Sequence, residues 1–371
     1  MNVKYCGPAL DYSGYGEANR HDIGALTSAG INVIGEYTKH CLEIAEFGDL
    51  GQLVKECSLK TDDYQIKILH TTPNIYGRFI EPNKYHIGRV FWETDKLPPA
   101  FAVGANMCQE IWTGSKFNAD AIRKAGVKVP IKIIPEAIKT PAPEVEPYLV
   151  PNQGDYRFYS IFEWTERKNP VALLTAFWQE FQNDKNVSLT LKAYVDNFRP
   201  DKRREVKANF IKVKKALKLS KYAPVYIYTK LMNRSEMYRV HKSFNCYVSS
   251  HRGEGWGIPQ MEAMLVGNPV ISTDCGGIHE HIADVSKLIP CKMIPVKKVD
   301  RNDQWYLPDQ NWANIDVGEL RKAMRWCYNK QREASELGKK GKKLVEKKFS
   351  LDSVGKLMKK RLTEIKLTLD K

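Results

Sequence analysis

The chain has 371 residues, 43% hydrophobic and 27% charged, a balance that fits two globular domains of ordinary size. It contains no apolar run long enough to span a bilayer, which excludes an integral helical membrane protein. The formal net charge of +15 says nothing about fold; it suits an anionic partner, with a lysine-rich solvated surface as the plain alternative. Eight cysteines are scattered without a Cys-x-x-Cys pair, which argues against a zinc site and for reduced thiols in a cytoplasmic setting. The opening Met-Asn-Val-Lys-Tyr-Cys runs straight into a strand and has no signal-peptide architecture.

Val3 to Ala9 reads as the first strand. Asp11 to Arg20 follows as a loop carrying Gly14 and Gly16, and it opens a helix through Leu26. Strand, glycine loop and helix in that order make an anion- or sugar-binding turn at the strand's carboxyl end. Further strands are expected at Asn32–Ile34, Gln65–His70, Tyr85–Trp92, Glu110–Ser115 and Lys132–Glu136, with a helix over Asn118–Ala125. Strands alternating with helices indicate a parallel sheet covered on both faces. Ligands bind such sheets at the strand carboxyl ends, where His70, Glu93 and Thr94 fall.

Pro141 to Gly154 is proline-rich and lacks helical periodicity, so it reads as an interdomain linker. Tyr156–Phe162 opens a second run of strands and ends in Glu163 to Pro170, followed by a helix over Val171–Phe181. The Arg167-Lys168 pair in that turn can clamp a diphosphate with a fork and a point charge; two solvent-facing cations are the plain alternative. Ser188–Tyr194 is the next strand. A basic helix follows within 199–221, with Phe210, Ile211, Val213, Ala216 and Leu217 expected inside. Val225–Tyr228 is a strand that leads to Lys230, Leu231 and a helix containing Met237–His241.

The most informative stretch links the strand Asn245–Ser250 to a helix ending near Gly267. It reads His251-Arg252-Gly253-Glu254-Gly255-Trp256-Gly257-Ile258-Pro259-Gln260-Met261-Glu262. Its glycines let the backbone approach a ligand, Pro259 fits the first helical turn, and the helix N-terminus offers free N–H groups to phosphate. Glu254 and Glu262 add two carboxylates suited to sugar hydroxyls. Ordinary dipole-matched carboxylates at a helix start are the plain reading. Beyond Val270–Thr273 come an irregular piece at Val299–Pro308, a helix over Val317–Asn329 and a lysine-rich helical C-terminus from Glu333.

The Glu254-to-Glu262 loop, continued by Gly276-Gly277 and Glu280, closely resembles the donor-site signature of glycosyltransferase family 4. Phe91–Pro98 and Trp112–Phe117 also resemble that family, in a subgroup with an acidic residue, Glu93, where other members place a histidine. The resemblance implies an α/β chain of the GT-B type: two Rossmann-like domains facing across a cleft, with the C-terminal helix crossing back to the first. The expected divisions are 1–145, an acceptor-side domain; 146–350, a nucleotide-sugar domain; and 351–371, the crossing helix. It implies a retaining transferase that uses a UDP- or GDP-sugar and no other cofactor or metal. Arg167 and Lys168 would face the donor's phosphates with Gly255, Trp256, Gly257, Gly14 and Gly16 nearby. Glu262 would hold the ribose, Lys230 and Leu231 would lie by the base, and Glu254 with Glu93 would serve catalysis, Glu93 by orienting the donor sugar or the acceptor; capping of a turn is its plain alternative. His70, Thr94 and Asp95 are the acceptor-side candidates.

The acceptor is addressed only by charge. The basic segments 199–221 and 339–371 suit a polyanion: DNA carrying hydroxymethylated bases, as in phage-type base glucosylation, or a phosphorylated glycan at an anionic membrane surface. Cytoplasm is the expected location, that of the host if the chain is phage-encoded, with peripheral membrane contact as the alternative setting. No protein partner is evident. A nucleotide-sugar epimerase or phosphorylase shares the fold, and a non-catalytic DNA-binding protein leaves the Glu254–Glu262 loop unexplained.

Overall fold

The computed structural model describes residues 1–38, 47–142, 144–150, 154–195, 200–297 and 305–371. Parts of two sequence readings, the linker at 141–154 and the irregular piece at 299–308, lie outside the described residues, as does residue 199 of the basic segment. The chain divides into two compact units. The first comprises Met1–Thr140, Val296–Gln310 and Leu344–Lys371; the second comprises Pro141–Pro295 and Asn311–Lys343.

The first unit is built from β1 (Asn2–Gly7), α1 (Gly14–Ser28), β2 (Asn32–Tyr37), α2 (Gly48–Ser58), β3 (Ile66–Leu69), β4 (Tyr85–Arg89), α3 (Pro99–Ala105), β5 (Glu110–Thr113), α4 (Lys116–Lys124) and β6 (Ile131–Ile133). The six strands are parallel in the order β2-β1-β3-β4-β5-β6. Continuous apolar strands such as Ile66–Leu69, buried at every position, are what a sheet covered on both faces requires. The order reverses between β1 and β3, so their carboxyl ends, the Gly14 loop and His70, lie at the switch point of the sheet.

The second unit contains β7 (Tyr156–Glu163), α5 (Pro170–Phe181), β8 (Val187–Tyr194), α6 (Pro200–Leu217), β9 (Val225–Tyr228), α7 (Arg234–Ser243), β10 (Cys246–Ser249), α8 (Ile258–Leu265), β11 (Val270–Thr273), α9 (His279–Ile282), β12 (Lys287–Ile289), β13 (Cys291–Pro295), β14 (Asn311–Ile315) and α10 (Val317–Asn329). Its parallel sheet runs β9-β8-β7-β10-β11-β12, and β13 pairs antiparallel with β14. The core packs Phe158, Leu189, Leu191 and Val248 of the sheet against Phe177, Trp178 and Phe181 of α5 and Leu320 and Met324 of α10. Here the order reverses between β7 and β10.

Helix α11 (Gln331–Lys348) leads to α12 (Leu351–Leu369), which belongs to the first unit. Val354, Met358, Leu362 and Ile365 form its buried stripe and join the core with Ile23 and Leu26 of α1. Gly355 lies so near α1 that a Cβ there would stand 2.1 Å from the Ala25 carbonyl oxygen. Helix α6 corrects one expectation. Its inward stripe is Val206, Phe210, Val213 and Leu217, while Ile211 and Ala216 are exposed. The reason is angular: at 100° per residue, 206, 210, 213 and 217 share a face, and 211 and 216 fall outside it. No helix among the described residues is long and apolar enough to cross a membrane.

Candidate functional site

At the switch point of the second sheet, the turn after β7 and the loop after β10 come together. The turn is a short 3-10 segment, Glu166–Lys168, closed by Asn169 in the left-handed region at φ 53°. Its backbone is tied to the β10 loop, since the Arg252 N–H donates to the Arg167 carbonyl at 2.6 Å. The Ser250 hydroxyl donates to the Asn169 carbonyl at 3.0 Å. Arg167 Nη1 donates to the Gly253 carbonyl at 2.9 Å, and the Lys168 ammonium pairs with the Glu254 carboxylate. The sequence-predicted Arg167, Lys168 and Glu254, 86 residues apart for the last pair, therefore meet in one place.

Electrostatics there are set by burial and charge together. Burial pushes the Glu254 carboxyl up, but Lys168, Arg167 and His251 outweigh it and hold the group down at about 2. His251 is pushed down to about 4 by its burial, against the pull of Glu254 and the Cys275 carbonyl. A neutral imidazole fits its contacts. Nε2 donates to the Cys275 carbonyl at 3.1 Å, leaving Nδ1 to accept from the Ser249 hydroxyl at 2.9 Å. Arg252 reaches Glu166 at 3.0 Å and the Asn314 side-chain oxygen at 2.6 Å, bracing the loop from outside.

Gly257 caps α8 at φ 89°, where a side chain would be strained and its Cβ would meet Ile278 Cδ1 at 2.4 Å. Gly276 is equally constrained: at φ 91°, its Cβ would lie 2.5 Å from the Glu254 carbonyl oxygen, and the next N–H, of Gly277, donates to that oxygen at 2.7 Å. Gly255 is buried in the same loop. Trp256 is buried as well, its ring 4.9 Å from that of His281.

Glu262, one turn into α8, is buried and paired with Arg234 and with His241 Nε2 at 3.3 Å. Tyr247 registers both carboxylates. After burial itself, Glu254 and Glu262 are among the causes that raise its phenol. Arg234 was not read from the sequence. The signal was present, because Asn233 and Glu236 form a capping box that fixes the start of α7 and puts Arg234 at its first position. Lys230 and Leu231 lie in the loop after β9, Lys230 exposed and Leu231 half-buried. Lys192 on β8 was also not singled out; it is buried and pushed down to about 8 by desolvation and by the neighbouring Arg203.

In the first unit, the switch point gathers a buried charge network. Arg89 Nε donates to the Asp22 carboxylate at 2.8 Å and its other nitrogens to the Ile134 and Pro135 carbonyls. Tyr5 and His70 Nδ1 share a 2.5 Å hydrogen bond beside Asp22. Burial first, then Arg89, pushes His70 down against the pull of Asp22, so its ring is held neutral. The rings of Tyr15 and Phe91 lie 5.8 and 5.9 Å from it. Gly16 is buried against the Asp11 carbonyl, 2.0 Å from where its Cβ would be, whereas Gly14 has open space. Glu93 is half-buried in the turn after β4. Thr94 is enclosed: its hydroxyl contacts Trp92 Nε1, the Lys96 carbonyl and the Gln310 side-chain oxygen at 2.6, 2.9 and 3.0 Å. Asp95 pairs with Lys124. Trp305 and Tyr306 cover this turn by packing on Phe101 and Trp92.

Two doubly wound α/β units in one chain make up a fold of the GT-B type. Residues 162–295 match the family model described as glycosyl transferases group 1, a span that holds the β7 turn, the Glu254 loop and Glu262. The chain therefore has a GT-B-type fold whose second unit carries a glycosyl transferases group 1 domain. Among solved structures it is similar to sucrose-phosphate synthase from Thermosynechococcus elongatus, with a TM-score of 0.70 and 14% identity over 99% of this chain and 100% of the other. It is similar to HepE of Anabaena, solved in complex with UDP and glucose, with a TM-score of 0.65 and 14% identity over 98% and 99%. It is also similar to the E. coli trehalose-6-phosphate enzyme bound with UDP-2-fluoro glucose, with a TM-score of 0.65 and 10% identity over 98% and 99%. No curated protein sequence matches the chain.

Proposed function

We propose that the chain is a retaining glycosyltransferase that moves a hexose from a UDP- or GDP-sugar to a hydroxyl of a polyanionic acceptor. The observation that carries the donor half is the convergence of Arg167, Lys168 and Glu254 ahead of the α8 N-terminus, at the switch point of the second sheet. An incoming diphosphate takes over Lys168 from Glu254 and frees that carboxylate for hydroxyls of the transferred sugar. Glu262, aligned by Arg234 and His241, takes the ribose. As the glycosidic bond breaks, negative charge grows on the leaving diphosphate, and cations and helix N–H groups aimed there stabilise the transition state. The departing phosphate accepts the proton of the attacking hydroxyl, so no protein nucleophile is required. Nucleotides named with similar structures, UDP with glucose and UDP-2-fluoro glucose, are consistent with such a donor.

The acceptor half rests on charge. Besides the net +15, α6 presents Arg204, Lys207, Lys212, Lys214 and Lys215 on its exposed side. DNA carrying hydroxymethylated bases is the first acceptor to test, since its phosphates match such a surface and flipping the base would carry its hydroxyl into an enzyme cleft. The experiment is a panel of UDP- and GDP-sugars against plain duplex DNA, hydroxymethylated DNA and lipid-linked glycans, read as a mass gain on the acceptor. A hexose added only to hydroxymethylated DNA, with activity falling steeply in salt, supports the reading. Transfer only to a glycan, or isomerised donor with no acceptor modified, refutes it.

A further inference from the structure

Seven of the eight cysteines are described, and all are free thiols. Two of them sit where they can act as a unit. Strands β11 and β12 pair in parallel up to Thr273 and Ile289, and the ladder continues with the Asp274 N–H donating to the Ile289 carbonyl at 2.9 Å. Cys275 and Cys291 lie two residues beyond that last pair on each side. Neighbouring strands run about 4.8 Å apart, inside the Cα separation a disulfide accepts. The side chains agree with the register: the Cys291 thiol reaches back to the backbone carbonyl of Asp274, the residue next to Cys275. Cys275 Sγ is also 3.5 Å from Met293 Sδ on β13, and Cys291 Sγ is 3.5 Å from the Asp274 carbonyl.

We propose that Cys275 and Cys291 form a reversible disulfide that switches the donor loop off. Cys275 shares its backbone with the piece of chain that holds that loop. Its carbonyl accepts from His251 Nε2, and Gly276 and Gly277 clasp the Glu254 carbonyl with no room to spare. The bond draws the Cys275 sulfur away from Met293 and the Cys291 sulfur away from the Asp274 carbonyl, and the displaced Cys275 backbone moves both supports of Glu254.

The chemistry is divided between the two thiols. Cys291 is half-buried and reachable, so it is the thiol that a small oxidant meets first. Cys275 is only 8% exposed, so it is the resolving partner. The oxidant is a small-molecule disulfide. Cys291 thiolate attacks one of its sulfurs, forming a mixed disulfide and releasing one small thiolate. Cys275 then gives up its proton and attacks Cys291 sulfur, releasing the second small thiol. Two protein thiols are oxidised and one disulfide is reduced to two thiols. Cys246 and Cys327 are sealed in the second core at 0% and 1% exposure and cannot be reached in this way.

The consequence for nucleotide binding rests on the donor-site reading; the disulfide itself does not. The full chain, fully reduced, is equilibrated with oxidised and reduced glutathione at graded ratios. It is then mapped by non-reducing peptide mass spectrometry and titrated with UDP and with GDP by calorimetry. The expected result is a Cys275–Cys291 cross-link, a nucleotide affinity weakened about tenfold, and full recovery with dithiothreitol. Cys291→Ser, outside the donor loop, keeps the reduced affinity and loses the response. Glutathione remaining on Cys291 without a cross-link overturns the proposal, as does a cross-link that leaves affinity unchanged or a Cys291→Ser protein that still responds. If the reduced protein binds neither nucleotide, the donor-site reading fails instead, and the cross-link is still decided by the peptide map.

Discussion

Replacing Lys168 with methionine tests the centre of the site and separates folding from chemistry. Lys168 and Glu254 have side chains only 16% and 11% exposed, so their pairing is weakly screened. The Glu254 carboxyl sits at about 2 instead of the usual 4.5, a depression worth about 3 kcal/mol in favour of the charged form. Lys168 leads the causes that lower it, ahead of Arg167 and His251. Without Lys168 the burial penalty on Glu254 is no longer offset, and stability falls by about 2 kcal/mol. Turnover falls further, by about 100- to 1000-fold, because a cation facing the leaving diphosphate is lost. Urea unfolding gives the first number, and release of nucleotide diphosphate from the donor sugar gives the second. The double variant Lys168→Met/Glu254→Gln removes both charges. Its stability returns to within about 1 kcal/mol of the parent, but its turnover does not return. Should the single variant keep more than about a tenth of parental turnover, or should the double variant regain it, Lys168 serves only to hold Glu254 and the assignment to phosphate is wrong.

Three further outcomes are expected. Because the folded pKa of Glu254 is depressed, its stabilisation is present above about pH 4.5 and is lost as pH falls toward about 2; Glu254→Gln should flatten that limb of the stability–pH curve by about 3 kcal/mol, and an unchanged acid limb counts against the pairing. Gly276→Ala should cost about 1–3 kcal/mol, seen in urea unfolding, and sharply reduce donor turnover, since the residue holds φ 91° against the Glu254 carbonyl. Asp22→Ala should destabilise by about 3–5 kcal/mol in the same assay by stranding the fully buried Arg89 charge; a loss below about 1 kcal/mol rejects that account.

Much of this molecule can be read locally. Period-two and period-3.6 apolar patterns mark most of the strands and helices, and the glycine-spaced Glu254-to-Glu262 loop and the Arg167-Lys168 turn stand out as candidate donor-site segments because each is compact in sequence. Patterns fail where burial is shared unevenly: the apolar residues of α6 do not all fit one face, so Ile211 and Ala216 ended outside. Enclosure of Thr94 by Gln310 could not be foreseen either, since the two are 216 residues apart.

The amino-acid order alone therefore settled the α/β alternation and the residue types at each strand's carboxyl end. Tertiary structure decided which of those ends are neighbours. Strand order put the turn after β7 beside the loop after β10, and so brought Lys168 to Glu254 and Arg234 to Glu262. It also returned 296–310 and α12 to the first unit. The physical reason is that periodicity records only whether a side chain is buried, while the partner that neutralises a buried charge is set by long-range strand pairing, which leaves no mark on the residues nearby.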